Sequence, residues 1–135
     1  ERQGKIDKAI ESYMMATRTQ MQDQTCWVRL IKLLTKEERV EGVESYIQQG
    51  LKRYPDSENM MLVTAQYYYS VKKDAKTALT YCRELHKRGM RDTEFVRDYA
   101  IIAYEAGLVE EAKELFMTLP AAVRNHPAIQ KVLTE

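Results

Sequence analysis

The side chains whose types could carry acid–base, nucleophilic or metal chemistry are two histidines, His86 and His126, and two cysteines, Cys26 and Cys82. Neither pair forms a working arrangement. Both histidines stand beside basic residues near expected helix ends, with no acid at a spacing that would orient an imidazole. The cysteines lack paired-ligand spacing and fall on apolar stripes, where a buried, inert thiol is expected. Glu110 and Glu111 are adjacent, so a helix aims them in different directions rather than at one substrate. No phosphate-cradling glycine loop, nucleophile elbow or H-E-x-x-H occurs. The expectation is a non-enzyme with no metal site and no cofactor.

Composition narrows the class further. A chain of 135 residues suits one domain, and 44% hydrophobic with 30% charged residues is an ordinary globular balance. Lys plus Arg total 21 against 20 acids, a net charge of +1. That near-neutrality argues against a dedicated nucleic-acid domain, since neutralising phosphates takes a clear cationic excess. No apolar run approaches the ~20 residues of a membrane span, and no secretory h-region is present. The expected compartment is intracellular, the cytoplasm. The chain opens Glu1-Arg2-Gln3 without Met and reads as an excised piece of a longer protein.

The elements that must position any site are helices. Ile6, Ala9, Ile10, Tyr13 and Ala16 recur at steps of three and four, within a helix drawn as far as Met21. Trp27, Leu30, Ile31 and Leu34 do the same, as do Val40, Val43, Ile47 and Leu51. Pro55-Asp56-Ser57 stops one helix and caps the next, and Asp92 is expected to cap the helix that follows it. Gly89 and Gly107 stand where C-terminal glycines belong. Eight helices joined by very short turns result, and turns that short force neighbours antiparallel.

The helices repeat. Ala9, Val43, Ala78 and Ala112 are separated by 34, 35 and 34 residues, and four residues after each lies a larger side chain: Tyr13, Ile47, Cys82 and Phe116. With this period the chain resembles a tetratricopeptide repeat (TPR) array, whose unit reads W-x2-L-G-x2-Y, A-x3-F, P. The closest unit supplies Trp27-x2-Leu30-Ile31-x2-Leu34, Val43-x3-Ile47 and Pro55. Two more supply Leu62-x2-Ala65-Gln66-x2-Tyr69 with Ala78-x3-Cys82, and Val96-x2-Tyr99-Ala100-x2-Ala103 with Ala112-x3-Phe116. Ile31 and Gln66 stand where the family has a small residue. The resemblance implies a single all-α array, a right-handed α-solenoid of antiparallel helix pairs. Its expected parts are the second helix of a partial repeat over 1–23, repeats over 24–57, 58–92 and 93–126, and the start of a further helix over 127–135.

The resemblance also implies a function, a protein-interaction scaffold that holds a peptide or helix in a concave groove. The matching groove positions are Thr25, Val28, Lys32 and Lys36, then Met60, Val63, Tyr67 and Val71, then Glu94, Arg97, Ile101, Tyr104 and Glu105. Val28, Met60, Val63, Tyr67, Ile101 and Tyr104 are expected to desolvate an apolar partner segment. Lys32, Glu94, Arg97 and Glu105 are expected to orient it by charge. On this reading Tyr67→Ala with Arg97→Glu weakens binding and leaves the melting temperature nearly intact. A chaperone-tail carboxylate clamp is excluded, because Val28, Lys32, Thr64, Glu94 and Asp98 replace its Lys, Asn, Asn, Lys and Arg.

Basic residues recur where second helices end: Arg18, Lys52, Arg53, Lys87, Arg88, Arg91 and Arg124. Such an edge could track phosphates or another anionic partner. The segment Arg83–Pro120 also resembles a pentatricopeptide repeat, which implies RNA binding as the alternative function. The plainer account is that cations complement helix C-termini, with acids at starts such as Glu37, Glu38, Asp74, Glu110 and Glu111. A third reading is self-association through the unpaired first and last helices.

Overall fold

Why do these segments fold as helices, and which faces do they bury? The computed structural model describes residues 2–18, 24–37 and 42–135, with side chains through residue 15 in the first stretch. Expectations placed on Met21, Glu38 and Val40, and on the side chains of Ala16 and Arg18, lie outside the described residues. Every element among the described residues is helical, and they fall into two compact units, Glu1–Lys73 and Asp74–Glu135.

The first unit holds α1 (Arg2–Arg18), α2 (Gln24–Lys36), α3 (Val43–Arg53) and α4 (Glu58–Ser70). The α2 stripe is Trp27, Leu30, Ile31 and Leu34, all buried, and α2 packs against α1, α3 and α4. From α3 come Val43, Ile47 and Gly50, at steps of four and three, while Ile10 enters from α1. Each fully buried aliphatic side chain here contributes about 1.5–3 kcal/mol. Gly50 allows close approach: a Cβ there would overlap Met60 Cε and stand 3.2 Å from Met60 Sδ. Trp27 meets Tyr46 edge to face at 6.3 Å. Ser57 caps α4 as expected, its hydroxyl accepting from the Met60 amide at 3.1 Å.

The second unit holds α5 (Ala75–Lys87), α6 (Thr93–Glu105), α7 (Val109–Met117), the single turn α8 (Ala121–Arg124) and α9 (Pro127–Leu133). Here α6 packs against α5 and α7, and α7 against α9. Asp74 caps α5 by accepting from the Thr77 amide at 3.1 Å. Asp92 sits at the N-cap of α6, but its side chain makes no capping hydrogen bond. Gly89 and Gly107 both adopt positive φ, 102° and 88°. Met90 N donates to Leu85 O and Leu108 N to Ala103 O, the closing bonds of helix ends that need a left-handed residue. The 34-residue register is visible in burial: Val43, Ala78 and Ala112 are sealed, as are Ile47, Cys82 and Phe116 four residues on. Ala9 and Tyr13 are half-buried.

Candidate interaction sites

In the second unit α6 carries four expected groove residues, Arg97, Ile101, Tyr104 and Glu105, into the lining of one cavity of about 720 Å³. Phe116 of α7, Ala122 and Val123 of α8, and Ala128, Ile129 and Val132 of α9 complete its largely apolar walls. Charge is confined to a few positions, with Arg97 and Lys131 on one side of the balance and Glu105 on the other. Arg97 Nε is 3.9 Å from Asp98 Oδ1, a loose pair that leaves the guanidinium available. Asp98 has its carboxyl pushed above the usual range, burial outweighing the neighbouring Arg97. Glu94, the fifth expected residue of this helix, is exposed at its first turn and does not line the cavity.

The repeat positions do not include the share of α8 and α9 in this lining. Its signal was present: Pro127 suits the first position of a helix, and Ile129 with Val132 gives a buried step of three. His126 also lines the cavity, and it caps α9, with Nδ1 accepting from the Ala128 amide at 3.2 Å. The imidazole thereby closes a helix end.

In the first unit the expected groove residues separate. Lys32 is exposed and Val28 half-buried against the core. Met60, Val63 and Tyr67 are 0%, 4% and 1% exposed and belong to the core cluster with Trp27 and Ile47. The expectation that these three project toward a partner is therefore corrected. The apolar surface of α4 runs nearly all round the helix, and α2 and α3 pack against it. A helix covered on several sides keeps no apolar stripe free for a ligand. Leu62 and Tyr69, the expected packing positions, are only half-buried. Burial also pushes the Tyr67 phenol above its usual range, with Glu44 adding to the shift.

Lys32 does line a second hollow, of about 390 Å³, with Ala9 and Tyr13 of α1 and Arg29, Leu33 and Lys36 of α2. Arg29 was not singled out from the sequence, because its neighbours on α1 are unrelated to it by any motif.

The basic residues have local roles. Lys52 and Arg53 end α3, and Lys87 ends α5. Arg88 Nε donates to Glu84 Oε1 at 3.0 Å. Arg91 Nη1 donates to the carbonyls of His86 and Met90 at 2.5 and 2.9 Å, tying off the last turn of α5. Arg124 lies in α8 with a half-buried side chain. Glu37 stands in the turn after α2, not at a helix start, and pairs with Arg2 at 3.5 Å.

Burial pushes the Cys82 thiol up to about 12, so it stays protonated near neutrality. Cys26 is half-buried and free. The His86 imidazole is lowered by burial and then by Arg91, and it meets the Tyr99 ring edge-on at 5.5 Å. Among the described residues no three His, Cys, Asp or Glu gather as a metal site, and no helix is long and apolar enough to cross a membrane.

Residues 72–135, a little under half of the chain, match the model of a tetratricopeptide repeat family. No curated protein matches the chain. Repeats of this family generally mediate protein–protein interactions. The match and the all-helical architecture support a TPR-like helical repeat over residues 72–135.

Proposed function

We propose that the chain is a non-catalytic interaction module that captures a peptide or helix of a partner protein in the α6–α9 cavity. One observation carries the reading: Arg97, Ile101, Tyr104 and Glu105, matched from family positions alone, line a single apolar-walled cavity. Its volume of about 720 Å³ falls in the range of ligand sites, roughly 300–1,000 Å³. Ile101 and Tyr104 would desolvate an apolar side chain, and the opposed charges of Arg97 and Glu105 would fix its direction. The RNA alternative has weaker support, since Arg88 and Arg91 already make hydrogen bonds within the chain.

Affinity capture from native lysate tests this, comparing wild type with Arg97→Glu/Ile101→Ser, each with and without nuclease. A protein retained by wild type and lost by the variant, at matched thermal stability, supports capture in the cavity and names the ligand. Undiminished retention by the variant contradicts it. A bound set that vanishes with nuclease moves the function to RNA.

A further inference from the structure

We propose that α9 is a hinged wall of the α6–α9 cavity, latched shut by Glu135 on Tyr104. It opens apart from the rest of its unit to admit the partner's peptide or helix, an inference that rests on the cavity being the capture site. Ala128, Ile129, Lys131 and Val132 of α9 belong to the lining, so the cavity is complete only while α9 is in place. The hinge lies in the backbone. Pro127 has no amide hydrogen to donate into α8, and the residue before a proline is held extended, as His126 is at φ −61° and ψ 133°. The Ala128 amide is taken by the His126 side chain, and the Ile129 and Gln130 amides by the His126 carbonyl at 3.0 Å. Among the described residues no backbone hydrogen bond of α9 reaches back past His126 into α8.

Few groups hold α9 down. It packs against α7 and buries Ile129 and Val132, whereas α6 buries six side chains. Gln130 Nε2 spans the hinge to the Arg124 carbonyl at 2.7 Å. At the far end Tyr104 Oη donates to Glu135 Oε1 at 2.6 Å, and Lys113 Nζ donates to the Glu135 carbonyl. Those end contacts are exposed, so water competes for them and each holds weakly. A segment with two buried side chains and exposed ties opens at lower cost than the helices beside it. The latch acts on the site directly, because Tyr104 is both the donor and part of the cavity lining.

Hydrogen–deuterium exchange of the whole chain, with no ligand present, reads the opening. Protection of the α9 amides is expected to be at least about tenfold lower than that of the α6 amides in wild type. It is expected to fall a further two- to fivefold or about that in Tyr104→Phe and in Glu135→Ala, with α6 and α7 unchanged. The two substitutions combined are expected to match the larger single effect, since both break the same bond. Anilinonaphthalene sulfonate, a small apolar anion, reads entry into the cavity. Its fluorescence is expected to rise faster in the latch variants than in wild type and to be lost in Arg97→Glu/Ile101→Ser. Exchange of α9 in step with α6 and α7, latch variants that exchange like wild type, or dye entry that is absent or uniform overturns the proposal. A failed capture from lysate removes the partner but not the hinge, and slow exchange of α9 removes the hinge but not the capture.

Discussion

Tyr104 Oη donates a 2.6 Å hydrogen bond to Glu135 Oε1, joining α6 to the residue that follows α9 and its cap. The backbone carbonyl of Glu135 accepts in turn from Lys113 Nζ. A side chain lining the cavity is thus aimed by a residue 31 positions away in sequence. The bond holds the Tyr104 phenol above its usual range, the hydrogen bond to Glu135 being the leading cause.

Glu135→Gln is expected to return that phenol toward the ordinary tyrosine value, because the acceptor loses its charge. Tyrosine-labelled NMR titration of the two proteins reads the change. An unaltered Tyr104 titration would remove the carboxylate from this account of the cavity wall.

Arg83 reaches Glu111 with two nitrogens, at 3.3 and 2.9 Å, and Tyr99 Oη donates to the same carboxylate at 3.3 Å. One carboxylate therefore ties α5, α6 and α7 together. The side chains of Arg83 and Glu111 keep 51% and 32% of their exposure, so solvent screens the pair. A double-mutant cycle with Arg83→Ala and Glu111→Ala is expected to give a coupling of about 0.2–1 kcal/mol, shrinking with salt. A salt-independent coupling in urea unfolding would contradict the exposed geometry.

His86 imposes a pH dependence. Its folded-state pKa is lowered below the reference 6.5, so the unfolded chain binds the proton more readily and folding loses stability as pH falls below about 6.5. The contribution is complete above that pH. Melting temperatures measured downward from neutrality should fall more steeply for wild type than for His86→Gln. Parallel slopes would show that the imidazole is not perturbed.

Tyr67→Ala is expected to cost about 3–5 kcal/mol, as for other large aromatic truncations in a core. Its ring is 1% exposed and meets Tyr68 edge to face at 5.3 Å. A groove position for Tyr67 would instead leave the melting temperature nearly intact, as expected above for Tyr67→Ala with Arg97→Glu. Denaturant unfolding decides between the two, and a loss under about 1 kcal/mol would return Tyr67 to the surface.

Gly50→Leu is expected to destabilise the first unit by about 1–3 kcal/mol through overpacking. The side chain would invade the space of Met60 and Trp27. Adding Met60→Ala should recover part of the loss, and a simple sum of the two single costs would show that the residues do not touch.

Local signals in the chain determined a great deal. Steps of three and four placed the buried stripe Trp27–Leu30–Ile31–Leu34, because a helix repeats its face at that spacing whatever packs on it. Ser57 and Gly89 marked helix boundaries through backbone chemistry that acts over one turn. The 34-residue register placed Ala78 and Ala112 in contact positions for the same reason, each unit carrying its own signal. The α6 share of the cavity lining was legible too, since family positions were enough to select Arg97, Ile101, Tyr104 and Glu105.

Tertiary structure decided which apolar faces stay covered. Nothing local distinguishes Met60, Val63 and Tyr67 from surface candidates, because a helix apolar nearly all round reads the same in any surroundings. Only the neighbours packed on α4 settle their burial. The cavity walls from α8 and α9, and the hollow that Arg29, Lys32, Leu33 and Lys36 share with α1, arise in the same way. Each joins side chains whose sequence separation is bridged by packing, and packing geometry is a property of helix pairs rather than of any one helix.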